Sequence, residues 1–252
     1  MYQKQTVIKG KTITSAFLMA PMVTFGYGVK NGIITDELIS HYEARARGGI
    51  GMIIAEAACV AEDGRLSEYQ TGIWNEDQME GHRMLVSAAH KFKVPILSQL
   101  HHAGIRTVSG RPASPSAFHG TLRGREYTAD EMSEDEILLR EQQFIEAAVR
   151  ARAAGYDGVE LHCAHSYFLN AFLSPTVNHR TDRFGGNIEG RMRVVLDIME
   201  GIRHSCGENF LISVRLGFDE PDLESSAFMA GTFEKAGMDF LHVSTGFGST
   251  GF

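Results

Sequence analysis

The amino-acid sequence predicts an α/β fold, a TIM (β/α)8-type barrel of which about six βα units are present in this chain. Three observations lead to this fold class. Six short apolar runs are typical of buried parallel strands, helical segments separate them, and most of the connections are short. A doubly wound open sheet is the competing architecture, but no GxGxxG motif follows the first strand.

The composition indicates one large domain spanning residues 1–252. The chain is 43% hydrophobic and 22% charged, which is ordinary for a globular protein of this size. Its net charge of −7 gives no electrostatic reason to expect nucleic acid or an anionic membrane as a partner. The three cysteines form no CxxC pair, so a disulfide framework, a zinc site and an iron–sulfur centre are not predicted. No apolar run approaches about 18 residues and the N-terminus lacks a secretion signal, so we expect a cytoplasmic protein.

The first elements are a hairpin and a strand. Residues 6–8 and 12–14 alternate around Gly10 like a small hairpin, which could plug one end of a barrel. Residues 16–22 form a compact apolar run, the first predicted barrel strand, which Pro21 stops.

Helix signals separate the strands that follow. Thr35 is a predicted N-cap, Ser133 and Glu136 form a predicted capping box, and Gly48 and Gly49 would end the first helix. The predicted helices span about 36–47, 74–92, 133–154, 187–205 and 225–236. The predicted strands span 16–22, 52–57, 94–100, 157–161, 210–216 and 240–244.

Two features of this pattern stand out. Residues 101–132 form a long polar segment that we predict to be a loop, and loops of this length in a compact domain are usually lids or specificity segments. A complete (β/α)8 barrel needs two more units, each of roughly 30 residues or more. We therefore expect that the last two βα units are missing from this chain, through truncation or because a second chain supplies them.

Polar residues occupy the carboxyl ends of several predicted strands, where α/β barrels place their chemistry. His162, His165 and Tyr167 follow the fourth strand within one turn, and Arg215 lies at the end of the fifth. Imidazoles can polarise a carbonyl group and a phenol can deliver a proton. A lone histidine at a strand end is more often structural, but two at i and i+3 with a tyrosine favour a site. For Arg215, a structural salt bridge and a ligand contact are equally good explanations.

Five segments, taken in order and spacing, carry a resemblance. They are 20–22 (Ala-Pro-Met), 54–57 (Ile-Ala-Glu-Ala), 99–104 (Gln-Leu-His-His-Ala-Gly), 162–167 (His-Cys-Ala-His-Ser-Tyr) and 172–186, which begins Phe-Leu-Ser-Pro and ends Gly-Gly. This ordered set resembles the old yellow enzyme family of NAD(P)H:flavin oxidoreductases, and the likeness runs from residue 7 to about residue 245.

The resemblance implies an FMN-dependent ene-reductase that uses NADH or NADPH as its reductant. The cofactor-binding residues that it implies are Pro21, Met22, Val23, Ala57, Gln99 and Arg215. At Val23 relatives often have Cys or Thr instead. A cation at Arg215 fits because reduced flavin carries negative charge at N1.

The resemblance also implies roles in catalysis. His162 and His165 would hold the activating oxygen of an α,β-unsaturated carbonyl or carboxylate substrate, hydride would pass from flavin N5 to its β-carbon, and Tyr167 would protonate the α-carbon. Tyr27 is expected to bind substrate, with Phe25 as the other aromatic residue in that stretch.

Two other classes of protein stay open at this stage. The missing strands allow a non-catalytic partial barrel or one half of a split flavoprotein, and a homo-oligomer is also possible. A metal hydrolase using His101, His102, His162 and His165 ranks low, because no carboxylate is spaced with them as a ligand set. We therefore expect no metal.

Overall fold

Eleven strands are present in the part of the chain that the structure describes. The computed structural model describes residues 5–27, 29–218 and 221–244. The strands are β1 (Thr6–Ile8), β2 (Lys11–Ile13), β3 (Leu18–Met19), β4 (Met52–Cys59), β5 (Ile96–His101), β6 (Ala113–Ser114), β7 (Phe118–Leu122), β8 (Arg125–Glu131), β9 (Gly158–Cys163), β10 (Leu211–Gly217) and β11 (Phe240–Ser244). Six of them form one parallel sheet in the order β3-β4-β5-β9-β10-β11, which is also their order along the chain.

This sheet curls, as the predicted barrel requires. Arg215 on β10 donates a hydrogen bond to the carbonyl oxygen of Pro21, just after β3, although three strands lie between β3 and β10 in the sheet order. Strands β4, β5 and β9 are buried along their whole length because side chains pack on both faces. The predicted fold class is confirmed, with six parallel strands in the described residues.

Helices cover the outer face of the sheet. They are α1 (Asp36–Arg47), α2 (Met79–His90), α3 (Glu134–Ala154), α4 (Phe168–Leu173), α5 (Ile188–Arg191), α6 (Arg193–Cys206) and α7 (Leu223–Lys235). The predicted caps are confirmed: Thr35 accepts from the Leu38 N–H, and Ser133 and Glu136 form a reciprocal capping box. Phe144 of α3 is fully buried against the sheet, and burial of such a ring stabilises the fold by about 2 kcal/mol.

The N-terminal hairpin closes the amino-terminal end of the sheet, as predicted. Strands β1 and β2 pair antiparallel. Ile8 and Ile13 pack against apolar side chains from the starts of the barrel strands, namely Met52, Ile54, Leu97 and Leu211. Lys9 and Lys11 add ion pairs, at 2.7 Å to Asp239 and at 2.8 Å to Asp157. The amino-terminal end of the sheet is therefore covered, which leaves the carboxyl end for a cavity.

Three predictions about elements were wrong in part. The first barrel strand is only two residues long, because β3 lies at an edge of the described sheet and pairs with β4 alone there. The segment 101–132 is not simply a loop, since β7 and β8 form a hairpin that turns at Arg123 and Gly124, both with positive φ. The predicted helix 187–205 is two helices, with Met192 at the junction between α5 and α6.

None of the described helices is long and apolar enough to cross a membrane.

Candidate active site

A cavity of about 410 Å³ opens at the carboxyl ends of the parallel strands. A volume in the range of about 300–1,000 Å³ is typical of small-molecule sites. Nine of the ten residues singled out from the sequence line it: Pro21, Met22, Val23, Ala57, Gln99, His162, His165, Tyr167 and Arg215. The strand order explains this convergence, because the carboxyl ends of neighbouring parallel strands meet at one edge of the sheet.

The imidazoles of His162 and His165 are hydrogen-bonded to each other. His162 Nε2 and His165 Nδ1 are 2.8 Å apart, and His165 Nε2 is 2.7 Å from the Ser244 hydroxyl at the end of β11. Burial lowers the pKa of His165 to about 4, and the nearby Arg215 guanidinium contributes to the decrease. Burial, reinforced by neighbouring cations, also holds the pKa of His162 well below its usual value. Both rings are therefore neutral at pH 7, and in the hydrogen bond between them one ring donates its N–H and the other accepts.

An unusual backbone conformation places these rings. His165 has φ 67° and Ser166 has φ 63°, two successive non-glycine residues in the left-handed region. The turn is held because the Ser166 N–H donates to Asn170 Oδ1 at 2.8 Å, on the first turns of α4. Such strain persists only where the surrounding structure enforces it, and it is concentrated at functional sites.

Tyr167 lies at the N-terminus of α4 and contacts the rings of His101 and His162. Its ring centroid is 4.5 Å from that of His101 and 4.9 Å from that of His162, both in edge-to-face geometry. The Arg106 guanidinium lies 4.8 Å from its centroid on a face. These contacts fix the ring while leaving the phenol among the residues that line the cavity.

Arg215 supplies a positive charge to the cavity wall. Its Nη1 donates to the Pro21 carbonyl oxygen at 3.3 Å and its Nη2 to Ser244 Oγ at 3.4 Å. Its Nε is buried and has no hydrogen-bond partner within residues 5–27, 29–218 and 221–244. A buried donor of this kind is costly unless a ligand satisfies it.

Tyr27 is placed elsewhere. Its hydroxyl is 3.0 Å from Nδ1 of His41 on α1, and its side chain is 43% exposed. Phe25 lines the cavity in its place. Both residues have positive φ, a backbone conformation that is unusual for non-glycine residues, and their side chains lie in different surroundings. Tyr27, which the sequence led us to expect at the substrate, is therefore not among the residues that line the cavity, whereas Phe25 is.

Several cavity residues were not singled out from the sequence as site residues. They are Phe25, Leu66, His101, Arg123 and Ser244. His101, directly after Gln99 and Leu100 at a strand end, carried a signal that could have found it. Ser244 and Arg123 had no such signal in the sequence. Ser244 reaches the cavity because β11 pairs with β10, and Arg123 reaches it because it lies in the β7–β8 turn.

A buried carboxyl supports the cavity wall from behind. Glu56, next to Ala57 on β4, is only 2% exposed, and its Oε2 accepts from the Thr24 N–H at 3.3 Å. Burial raises the pKa of Glu56 to about 7, against the opposing effect of the bonds from Thr24. Glu56 therefore steadies the strand-end segment to which Val23 belongs.

The residues present fit a flat, polar-edged heterocycle better than a metal ion. In the described part of the chain, no group of three or more His, Cys, Asp and Glu side chains could hold a metal. His102 does not join the other imidazoles, because its Nδ1 accepts from the Gly104 N–H and its ring packs on Phe168. Among the residues that line the cavity, His101 Nε2, His162 Nδ1 and Arg215 Nε are buried polar atoms to which the described residues offer no partner.

The fold and the cavity define an α/β-barrel protein with a small-molecule site at the carboxyl ends of its strands. Residues 6–243 match the model of the NADH:flavin oxidoreductase / NADH oxidase family. The chain belongs to this family.

Relatives and solved structures agree with this assignment. An NADH oxidase from Thermoanaerobacter brockii is 39% identical in an alignment of 249 residues that covers 93% of this chain and 37% of that protein. An NADPH dehydrogenase from Halalkalibacterium halodurans is 36% identical over 244 residues, covering 95% of this chain and 71% of that one. The chain thus spans well under half of the first relative's length.

Among solved structures, the old yellow enzyme homologue from Zymomonas mobilis matches with a TM-score of 0.85 and 27% identity, over 95% of this chain and 72% of that one. Morphinone reductase matches with a TM-score of 0.87 and 26% identity, over 98% of this chain and 72% of that one. The resemblance to old yellow enzymes that the motifs suggested is confirmed.

Proposed function

We propose that this chain is the FMN-binding, catalytic part of an NAD(P)H-dependent ene-reductase, which reduces the activated C=C bond of α,β-unsaturated carbonyl or carboxylate compounds. The observation that carries the proposal is the convergence of His162, His165 and Tyr167 on one cavity with Gln99 and Arg215. Family membership supports the flavin, and the relatives named NADH oxidase and NADPH dehydrogenase support a nicotinamide reductant.

The residues that would hold FMN surround one half of the cavity. Pro21, Met22, Val23 and Ala57 come from the ends of β3 and β4, and Gln99 and Arg215 from β5 and β10. Arg215 gives that wall a positive charge, which favours a ring system that becomes anionic on reduction. FMN bound there supplies hydride transfer between the nicotinamide and the unsaturated substrate.

The histidine pair would bind the substrate's activating oxygen. Both rings are neutral at pH 7 and one of their two N–H groups lies in the hydrogen bond between them, so the pair has one further N–H to donate without carrying a charge that must be desolvated. Donors directed at an oxygen on which negative charge develops lower the barrier for addition to the conjugated carbon. Tyr167, held by its ring contacts, would deliver the proton.

A flavin titration followed by the two half-reactions tests this proposal. We expect the purified chain to bind FMN, with a change in visible absorbance, and NADH or NADPH to bleach the bound flavin without oxygen. An unsaturated ketone or carboxylate should then restore the absorbance. A chain that binds no FMN at high concentration, or a bound flavin that no nicotinamide reduces, contradicts the proposal.

The open side of the sheet favours a second candidate, a partial barrel that acts only when further strands complete it. In the described sheet β3 and β11 are the two edges, and a small cavity of about 150 Å³ lies between them. Leu18 and Val243, on these edges, are 43% and 54% exposed. Unpaired apolar edges readily pair with another chain. A native mass above that of one chain, with flavin bound only in the larger species, would support this candidate and a partner subunit or homo-oligomer.

A further inference from the structure

A buried carboxylate lies inside the sheet, directly beneath the cavity. Glu160 on β9 is fully buried. Its Oε1 accepts a hydrogen bond from Gln99 Nε2 at 2.8 Å, and its Oε2 accepts from Ser213 Oγ at 3.0 Å. His242 Nδ1 is also 3.0 Å from Oε2. These four residues come from four adjacent strands, β5, β9, β10 and β11.

This polar layer is an exception to the usual interior of such a sheet. The interior of α/β barrels is dominated by branched apolar side chains, and a buried carboxylate is expensive unless hydrogen bonds compensate it. Glu160 is compensated by three partners, so the fold tolerates it. These hydrogen bonds do not explain why position 160 carries a carboxyl group, since an apolar residue of similar size would fill the space without the free-energy cost of desolvation.

The consequence for Gln99 is a fixed orientation. In the structure the Gln99 NH2 group donates to Glu160 Oε1, so the amide presents its nitrogen to the carboxyl group. The other polar atom of the Gln99 amide is its carbonyl oxygen, and Gln99 is among the residues that line the cavity. The opposite orientation would set two oxygens against each other at hydrogen-bond distance. The cavity wall therefore combines an acceptor at Gln99 with Arg215 Nε, a donor to which none of the described residues offers an acceptor.

We propose that Glu160 is a positioning residue, which holds the Gln99 carbonyl oxygen toward the cavity so that the site selects a ring edge carrying N–H beside C=O. An imide edge of this kind offers one donor for Gln99 and one acceptor for Arg215. The inference rests on the proposed function, because the pyrimidine edge of a flavin is such an imide. It adds to that function a role for Glu160, which touches no ligand itself, and the requirement that the ligand carry an N–H beside a C=O.

A flavin methylated at N3 tests the requirement, because methylation removes the N–H and leaves the carbonyl groups. We expect the wild-type chain to bind FMN at least tenfold more tightly than 3-methyl-FMN, the loss that follows from one buried acceptor left unpaired. In Glu160→Gln and Glu160→Met the Gln99 amide is no longer fixed, so the preference should fall to threefold or less through weaker FMN binding. Equal preference in the wild type and both variants overturns the inference.

Glu141→Gln is the matched control. Glu141 is another buried carboxyl, 6% exposed, but it lies on α3 outside the sheet. Removal of its charge should leave the tenfold preference intact. A similar fall in this variant would mean that the effect arises from loss of any buried carboxylate, and would also overturn the inference.

A measurement without flavin separates the inference from the proposed function. In wild-type protein labelled with 15N, the side-chain NH2 protons of Gln99 should exchange with solvent at least tenfold more slowly than those of the exposed Gln142. If the wild type binds neither flavin, the proposed function fails, whereas slow Gln99 exchange still supports the fixed amide. If the Gln99 protons exchange as fast as those of Gln142, the amide is not held by Glu160 and the inference fails.

Discussion

Replacement of Glu56 by Gln should make the protein more stable at alkaline pH. Glu56 is 2% exposed, one of its carboxylate oxygens has no partner within the described residues, and burial raises its pKa from 4.5 to about 7. In the unfolded chain the carboxyl ionises near its ordinary value. Between these two pH values the unfolded chain has lost the proton that the folded protein still binds, so the free energy of unfolding falls as pH rises.

The size of this loss of stability follows from the pH interval between the unfolded and folded pKa values of Glu56. Each pH unit in it costs about 1.4 kcal/mol, so Glu56 lowers the free energy of unfolding by about 3 kcal/mol between pH 4.5 and pH 8. Below pH 4.5 the carboxyl is protonated in both states and contributes no pH dependence. Glu56→Gln has no proton to lose, and its amide oxygen can still accept from the Thr24 N–H.

Urea unfolding at pH 4.5 and pH 8, followed by circular dichroism, measures this difference. The stability of Glu56→Gln relative to the wild type should increase by about 3 kcal/mol from the lower to the higher pH. Glu234→Gln, at an exposed carboxyl on α7, should track the wild type at both. Parallel pH profiles for the wild type and Glu56→Gln would refute the reasoning, because they would mean that the carboxyl ionises normally in the folded protein.

Two further predictions concern the proton donor and the plugged end of the sheet. Tyr167→Phe should slow reduction of the unsaturated substrate by about 10²- to 10⁴-fold while NAD(P)H still reduces the flavin at nearly the wild-type rate, as stopped-flow absorbance of each half-reaction would show. The matched Tyr27→Phe should change neither rate, and equal losses in both half-reactions of Tyr167→Phe would exclude the assigned role. Asp157→Asn should lower the free energy of unfolding at pH 7 by about 2 kcal/mol, because Asp157 accepts from Lys11, His90 and the Ile96 N–H. Burial opposes ionisation of Asp157, but these bonds outweigh it and hold its pKa below the usual value. Its contribution is therefore present above about pH 3.9 and is lost as pH falls through the lower folded pKa, so urea midpoints of the two proteins should converge in acid and diverge toward neutrality.

Local chemistry made the helices predictable. Thr35 and Ser133 cap the helices that their side chains predicted, and Gly155, with φ 95°, ends α3. The apolar runs likewise predicted every strand of the parallel sheet. The β7–β8 hairpin was missed because most of its residues are polar and exposed or half-buried, with one buried residue on each strand, Leu122 and Ala129. Its turn residue Arg123 is also not one that ordinarily marks a type I′ turn.

The candidate site was predictable in its outline. Residues at strand ends must lie at one edge of a parallel sheet, so nine of the ten chosen residues line one cavity. Their roles in binding and catalysis stay predictions. Tyr27 shows the limit of spacing arguments. Only one residue lies between it and Phe25 in sequence, yet Phe25 lines the cavity and the Tyr27 hydroxyl lies beside His41.

The sequence by itself determined the alternation of strands and helices, the caps, and the family to which the chain belongs, because these depend on neighbouring residues and on ordered motifs. Only the tertiary structure decided which side chains meet across strands. The bonds from Gln99, Ser213 and His242 to Glu160 join positions far apart in sequence, and the His165–Ser244 contact spans 79 positions. Such contacts depend on the register and curl of the sheet, which local sequence patterns do not specify.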